Sequence, residues 1–136
     1  AVISFILYNL VTQKQTIIAM AQYVSAEEAL SVVKSGQRVF FHGVAANPRY
    51  MVRKFGEYVL NHNLTDIEVL AFSPFGEFEL ADPKYDKHLK INALFVSDSL
   101  RPAVDDGRAS YIPVFLSEVP ELFLNDVLPT DVAIFN

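Results

Sequence analysis

"RVFFHGVAANPRYMVRKFGEYVLNHN", residues 38–63, changes its hydrophobic period in mid-course. Arg38 to Val44 is a β-branched and aromatic run of the kind a buried strand uses, and "AANP" interrupts it. From Pro48 onward the pattern is helical, with proline at the first turn, where its missing N–H leaves no hydrogen bond unmade. The passage reads as one strand, loop and helix unit.

Working outward, the same alternation recurs. Upstream, Ser25-Ala26-Glu27-Glu28 has the form of a capping box, and Ala26, Ala29, Leu30 and Val33 share one helical face. Gly36 stands where a left-handed residue would end that helix. Downstream, Asp66 to Phe72, Ile91 to Ser97, Ser110 to Leu116 and Asp131 to Phe135 are four more strand candidates, and "EVPELFLND" after Ser117 is a helix candidate. The segments between them have the length that parallel crossovers need, and neither an internal repeat nor a low-complexity linker breaks the series. The pattern predicts an α/β fold: a mostly parallel open sheet with helices on both faces.

Composition agrees with one such domain. The 136 residues are 51% hydrophobic, with mean hydropathy +0.25, enough for a sizeable core. Sixteen acidic residues against 11 basic ones give a formal charge of −5, and no cationic run could neutralise several phosphates, which argues against a nucleic-acid partner. Without cysteine there are neither disulfides nor thiolate metal sites, and His42, His62 and His88 lack metal-ligand spacing. The apolar run "AVISFILYNLV" is too short to span a bilayer and lacks the marks of a signal peptide, so no membrane partner is expected. Residues 1–19 are read as an N-terminal extension of uncertain status, with the domain occupying 20–136 from Met20; an ordinary first strand or helix is the other reading of that segment.

Ligands in open α/β sheets bind beyond the carboxyl ends of the strands. Three loops there stand out. In the first, Gly43, Val44, Ala45, Ala46, Asn47 and Pro48, small residues would let backbone amides approach a ligand, or would merely permit tight packing of strand on helix. The second, Ser73 to Phe78, contains Pro74 and Gly76 and reads most simply as a turn. The third is Ser117, Glu118 and Pro120, in which Ser117 suits a helix N-cap and Glu118 the positive end of the helix dipole. His42 could serve as a base or as a hydrogen-bonded structural residue. No hydrolase triad, dinucleotide fingerprint or P-loop is present.

Taken together, "SAEEALSVVKSGQRVFFHGVAANP", "ADPKYDKHLKINALFVSDSLRPAVDDGRASYIPVFLSEVPELF" and "VLPTDVAIF" resemble the N-terminal part of the acetyl-CoA hydrolase/transferase family. Acetyl-CoA hydrolases, succinyl-CoA:acetate CoA-transferases and 4-hydroxybutyrate CoA-transferases are its members, the last being the branch the sequence resembles most. The resemblance spans about Tyr23 to Phe135 and is densest at Gly107-Arg108-Ala109, Tyr111, Pro113, Phe115 and Ser117-Glu118. It implies a CoA-transferase-like fold and transfer of coenzyme A between an acyl-CoA and a small carboxylic acid, with both as substrates, no covalently bound cofactor and no metal. It places Gly43 to Pro48 and the Ser117, Glu118, Pro120 segment at the substrate edge. It puts the catalytic glutamate well downstream, so no catalytic residue is assigned within these 136 positions and a C-terminal catalytic half is the expected partner. A cytoplasmic location, mitochondrial in a eukaryote, and homo-oligomerisation through an uncovered apolar face are further expectations. A noncatalytic binding or interaction module built on the same half-domain is the alternative.

Overall fold

The computed structural model describes residues Ile6–Tyr8 and 23–135. Six strands, β1 (Ile6–Tyr8), β2 (Arg38–Phe41), β3 (Ile67–Phe72), β4 (Leu89–Phe95), β5 (Ala109–Tyr111) and β6 (Val132–Ile134), form one sheet in the order β1-β6-β2-β3-β4-β5. Five of them run parallel; β1 pairs antiparallel with β6 at one edge. The other residues of the expected N-terminal extension lie outside the described residues, apart from β1. The helices are α1 (Ala26–Leu30), α2 (Arg49–Asn61), α3 (Arg101–Asp105) and α4 (Val119–Leu124), with 3-10 turns at Glu79–Ala81, Pro83–Tyr85 and Leu116–Glu118.

Alternation along the strands sorts their side chains onto two faces. Val39, Phe41, Val69, Ala71, Ile91, Ala93, Val132 and Ile134 belong to the main core, where Leu30 of α1, Met51, Phe55 and Val59 of α2, Leu80, Tyr85 and Ala103 of α3 cover them. The apolar stripe of α2 is what directs it there, since Met51, Val52, Phe55 and Val59 recur at helical spacing and all are buried. Each such side chain, fully buried, contributes roughly 1.5–3 kcal/mol. The second face carries Leu70 and Leu94 with Phe40, Phe72 and Phe95, packed by Val119, Leu122 and Phe123 of α4 and by Leu128. Helices thus lie on both faces of a mostly parallel sheet, as the sequence pattern predicts, but among the described residues the second face has only α4.

At α1 the N-terminal signal behaves as expected, but the helix ends at Leu30 with Ser31 as its C-cap, so Gly36, five residues further on, turns the chain toward β2 rather than ending the helix. The Ser25 hydroxyl accepts the Glu28 N–H at 3.1 Å, and Gly36 adopts φ +81°, a left-handed conformation open to glycine at no steric cost.

Two expectations near the C-terminus need correction. The strand expected over Ser110 to Leu116 ends at Tyr111. Its last rung is Ile112 N–H to Ala93 O, 2.9 Å, and Pro113, with no N–H to give, stops the ladder. Ser117 is not a helix N-cap, because it lies inside the 3-10 turn Leu116–Glu118 that runs directly into α4. The carboxylate of Glu118 does the capping instead, accepting the Phe115 N–H at 3.2 Å while Glu118 N–H returns to Phe115 O at 2.9 Å.

Burial of Tyr85 in the main core raises its phenol pKa above the usual 10.0, the nearby Lys84 opposing this only in part. The folded state therefore holds a proton that the unfolded chain loses, and the unfolded state is favoured as pH climbs past 10. Stability is expected to be intact below that pH and to fall above it, with Tyr85→Phe flattening the alkaline limb of a urea-midpoint against pH curve. An unchanged limb in the variant would remove Tyr85 as its cause.

Candidate functional site

The order of the strands locates the site. From β2 the chain steps outward through β3 and β4 to β5, then returns over the second face through α4 and inserts β6 on the opposite side of β2. The direction of winding therefore switches between β6 and β2, and in open α/β sheets the crevice beyond such a switch point is where ligands bind. The segment from His42 to Pro48 emerges there.

Gly43 follows β2 so closely against β3 that a Cβ on it would stand 1.3 Å from the Phe72 carbonyl oxygen. The glycine is thus required by the packing of one strand end on another rather than of strand on helix. The close approach carries strand pairing on into the loops: Val44 N–H donates to Ser73 O at 2.9 Å, and Val44 and Pro74 form a further parallel bridge. Both residues of that first bond are left-handed, Val44 at φ +55° and Ser73 at φ +44°. For a β-branched residue this conformation is a true outlier, at a cost on the order of 1–3 kcal/mol.

Behind this bridge sits Asn47, only 6% exposed and the one polar residue in the buried class among the described residues. Its Nδ2 donates to Phe75 O at 3.4 Å, while its Oδ1 is buried without a partner. Asn47 thereby ties the start of α2 to the Ser73–Phe78 loop, which is more than the simple turn its sequence suggests. Pro74 and Phe78 are buried, whereas Phe75 is 69% exposed.

Val44 and Ala45 are exposed, Ala46 is half-buried and Pro48, at the N-cap of α2, is buried. Among the described residues the N–H groups of Ala45, Ala46, Tyr50 and Met51 have no backbone acceptor, so donors and the positive end of a 13-residue helix face this edge. Arg49 is exposed beside Gly76, 3.7 Å from where a Cβ would stand there, and has no carboxylate within 4 Å among the described residues. Such an edge suits an anion.

His42 closes the other side. Its N–H donates to Ile134 O at 3.0 Å, its ring meets Phe135 edge-on at 5.7 Å, and its Nδ1 is buried with no partner. No base–nucleophile pair accompanies it among the described hydrogen bonds.

Hydrogen bonds join two of the three loops singled out in the sequence. Gly43 to Pro48 and Ser73 to Phe78 are joined by hydrogen bonds; no such bond joins either to Ser117 or Glu118, both exposed. Pro120 instead lines an apolar groove of about 570 Å³ on the second face, with Phe40, Phe123, Leu128 and Phe135. No residue from Gly43 to Pro48 lines that groove. The loop-to-loop bridge and the Asn47 tie escape sequence reasoning, because neither involves a motif; the one clue is Gly43 placed straight after an aromatic strand. Among the described residues no group of three or more His, Asp or Glu side chains could hold a metal ion, and no helix is long and apolar enough to cross a membrane.

A mostly parallel sheet with helices on both faces and free amide donors at its switch point defines an α/β domain. The chain belongs to the acetyl-CoA hydrolase/transferase family, matching that family's N-terminal domain over residues 10–136. It is 35% identical over 112 residues to a succinyl-CoA:acetate/propanoyl-CoA:succinate CoA transferase of Fasciola hepatica, covering 82% of this chain and 23% of that protein. Over 111 residues it is also 35% identical to 4-hydroxybutyrate coenzyme A transferase of Clostridium kluyveri, covering 82% and 25%. The chain thus spans about a quarter of the length of these relatives. RipA from Yersinia pestis shares the fold, with a TM-score of 0.64 at 19% identity over 76% of this chain and 26% of that one. The recognition of the family from its sequence segments, and the fold it implies, are therefore correct.

Proposed function

We propose that this chain forms the substrate-shaping part of a CoA-transferase, which moves coenzyme A from an acyl-CoA to a free carboxylic acid through a glutamyl-CoA thioester. Family membership supplies the reaction class, and the observation that carries the reading further is the donor-rich edge at the switch point between β2 and β6.

In that reaction a glutamate carboxylate attacks the acyl thioester, expelling CoA thiolate and forming an acyl-glutamyl anhydride. The thiolate then attacks the glutamyl carbonyl, releasing the first acid and leaving the glutamyl-CoA thioester. A second carboxylate reverses the two steps. Every step exchanges one anion for another, so no proton, metal or redox partner is needed, but each passes through an oxyanion that preorganised N–H donors stabilise. The residues of this chain contribute to binding: the free amides of Ala45 and Ala46, the α2 N-terminus and the Arg49 guanidinium attract the carboxylate. Val44 and Phe75 present apolar surface to its carbon chain. Acetate, propanoate, succinate and 4-hydroxybutyrate, named for the relatives, are the acids to test.

Glu118 is not the nucleophile in this scheme. Its carboxylate is committed to capping Phe115 N–H, and it is exposed rather than held in a water-excluded crevice. The test is intact-mass analysis after incubation with acetyl-CoA, borohydride reduction of any glutamyl thioester, and peptide mapping. The expected result is no adduct on residues 1–136 and a reduced adduct in a polypeptide extended to the relatives' length. In that longer polypeptide Glu118→Gln should lower activity while the adduct still forms. A reduced adduct on Glu118 would overturn this assignment, and no adduct anywhere in the active longer polypeptide would overturn the glutamyl-CoA route.

A further inference from the structure

We infer that Phe75 is an acid-specificity residue and that Asn47 is the positioning residue that fixes it; the inference rests on the CoA-transferase reading above. Three observations converge on this pair. Phe75 leaves a large aromatic ring 69% exposed at the strand-end edge, although the residues on either side of its loop, Pro74 and Phe78, are buried. Its backbone is not free to drift, since Val44 N–H holds Ser73 O at 2.9 Å and Asn47 Nδ2 holds Phe75 O itself at 3.4 Å. Both ties are costly, the first requiring left-handed Val44 and Ser73 and the second leaving Asn47 Oδ1 buried and unpaired. A mere surface turn would shed such costs by relaxing. Their persistence here holds the Phe75 backbone against the loop that carries the free amides of Ala45 and Ala46, where a carboxylate would sit.

An aromatic wall beside that loop selects by length. With the carboxylate anchored on the amides, a short carbon chain packs against the ring and a longer one must pass it. A pocket of this kind discriminates single methylenes by about tenfold or somewhat more. Asn47 acts on that selection only through Phe75, and this distinguishes it from a residue that simply holds the domain together.

The test uses the full-length polypeptide and kcat/KM for a series of straight-chain acids from acetate to hexanoate. Phe75→Ala should move the optimum toward longer acids, changing the ratio of longest to shortest by about tenfold. Asn47→Asp, nearly isosteric but without the Nδ2 donor, should move the profile in the same direction through KM for the acid, with KM for the acyl-CoA unchanged. The double variant should do no more than Phe75→Ala alone, because the two changes interrupt one chain of action. Hydrogen exchange gives a readout independent of activity: Asn47→Asp should speed exchange of the Val44 amide by about tenfold, the sign of a locally loosened loop. An Asn47→Asp profile that overlays the wild type, or one lowered equally for all acids, would overturn the inference, as would additive effects in the double variant. A wild-type protein that transfers no CoA would defeat the reading beneath it, and the Val44 exchange rate would still decide whether Asn47 holds the loop.

Discussion

Gly43→Ala is expected to cost the protein more than about 4 kcal/mol of stability, the range reserved for changes that break a specific structural device. The new methyl would stand 1.3 Å from the Phe72 carbonyl oxygen and 2.4 Å from its carbon. Those are backbone atoms in the last rung of β3, so no rotamer change relieves the overlap. Either the end of β2 or the end of β3 must move by roughly 2 Å to restore van der Waals distance. Movement of either breaks the Val44 to Ser73 hydrogen bond and the Val44–Pro74 bridge beyond it. His42 N–H, bonded to Ile134 O on the other side of β2, would be pulled with them. A large fall in urea midpoint at unchanged m-value is the expected measurement. A loss below about 1 kcal/mol would mean that the two strand ends are separable, and the joined-loop edge on which the proposed function depends would go with it.

This result bears on what the sequence can disclose. Periodicity locates α2 and β3 to within two residues because apolar spacing is a local property, but it carries β2 on to Val44, three residues past its end at Phe41. It overextends β5 because an edge strand and the apolar segment after it share one composition, and only pairing geometry with β4 marks where the ladder stops. The switch point follows from strand order, which depends on which face each crossover takes, and no local pattern records that. For the same reason the role of Gly43 remains ambiguous until Phe72 is placed beside it. Ser117 misleads in the opposite way. It has the chemistry of an N-cap, but the carboxylate of Glu118, three residues beyond Phe115, reaches the same helix entrance and leaves the serine nothing to cap. Family resemblance supplies what periodicity lacks, since the match runs over residues 10–136 and so includes Gly107 to Glu118, where the secondary structure is misjudged.

Adjacent phenylalanines on β2 give the second large expectation. Phe41→Ala should cost about 3–5 kcal/mol, the usual range for deleting a fully buried ring. Phe41 is 1% exposed and meets Phe55 at 5.1 Å and Phe78 at 6.4 Å, both edge-on. Phe40 points to the opposite face, meets Phe123 at 5.5 Å and Phe135 at 6.0 Å, and is half-buried on the wall of the apolar groove. Removing it leaves no closed cavity, because the space is already open, so Phe40→Ala should cost about 1–2 kcal/mol in this chain, the transfer term without the cavity term. The pair of values therefore measures how completely each face is covered. If the additional length found in the relatives packs on the second face, the cost of Phe40→Ala should rise toward that of Phe41→Ala in the longer polypeptide, while the cost of Phe41→Ala stays where it is. Equal costs in the 136-residue chain would show instead that the groove closes without any such cover. The second face would then be a finished core, and α4, with Leu124 80% exposed beside it, would need no other element to complete it.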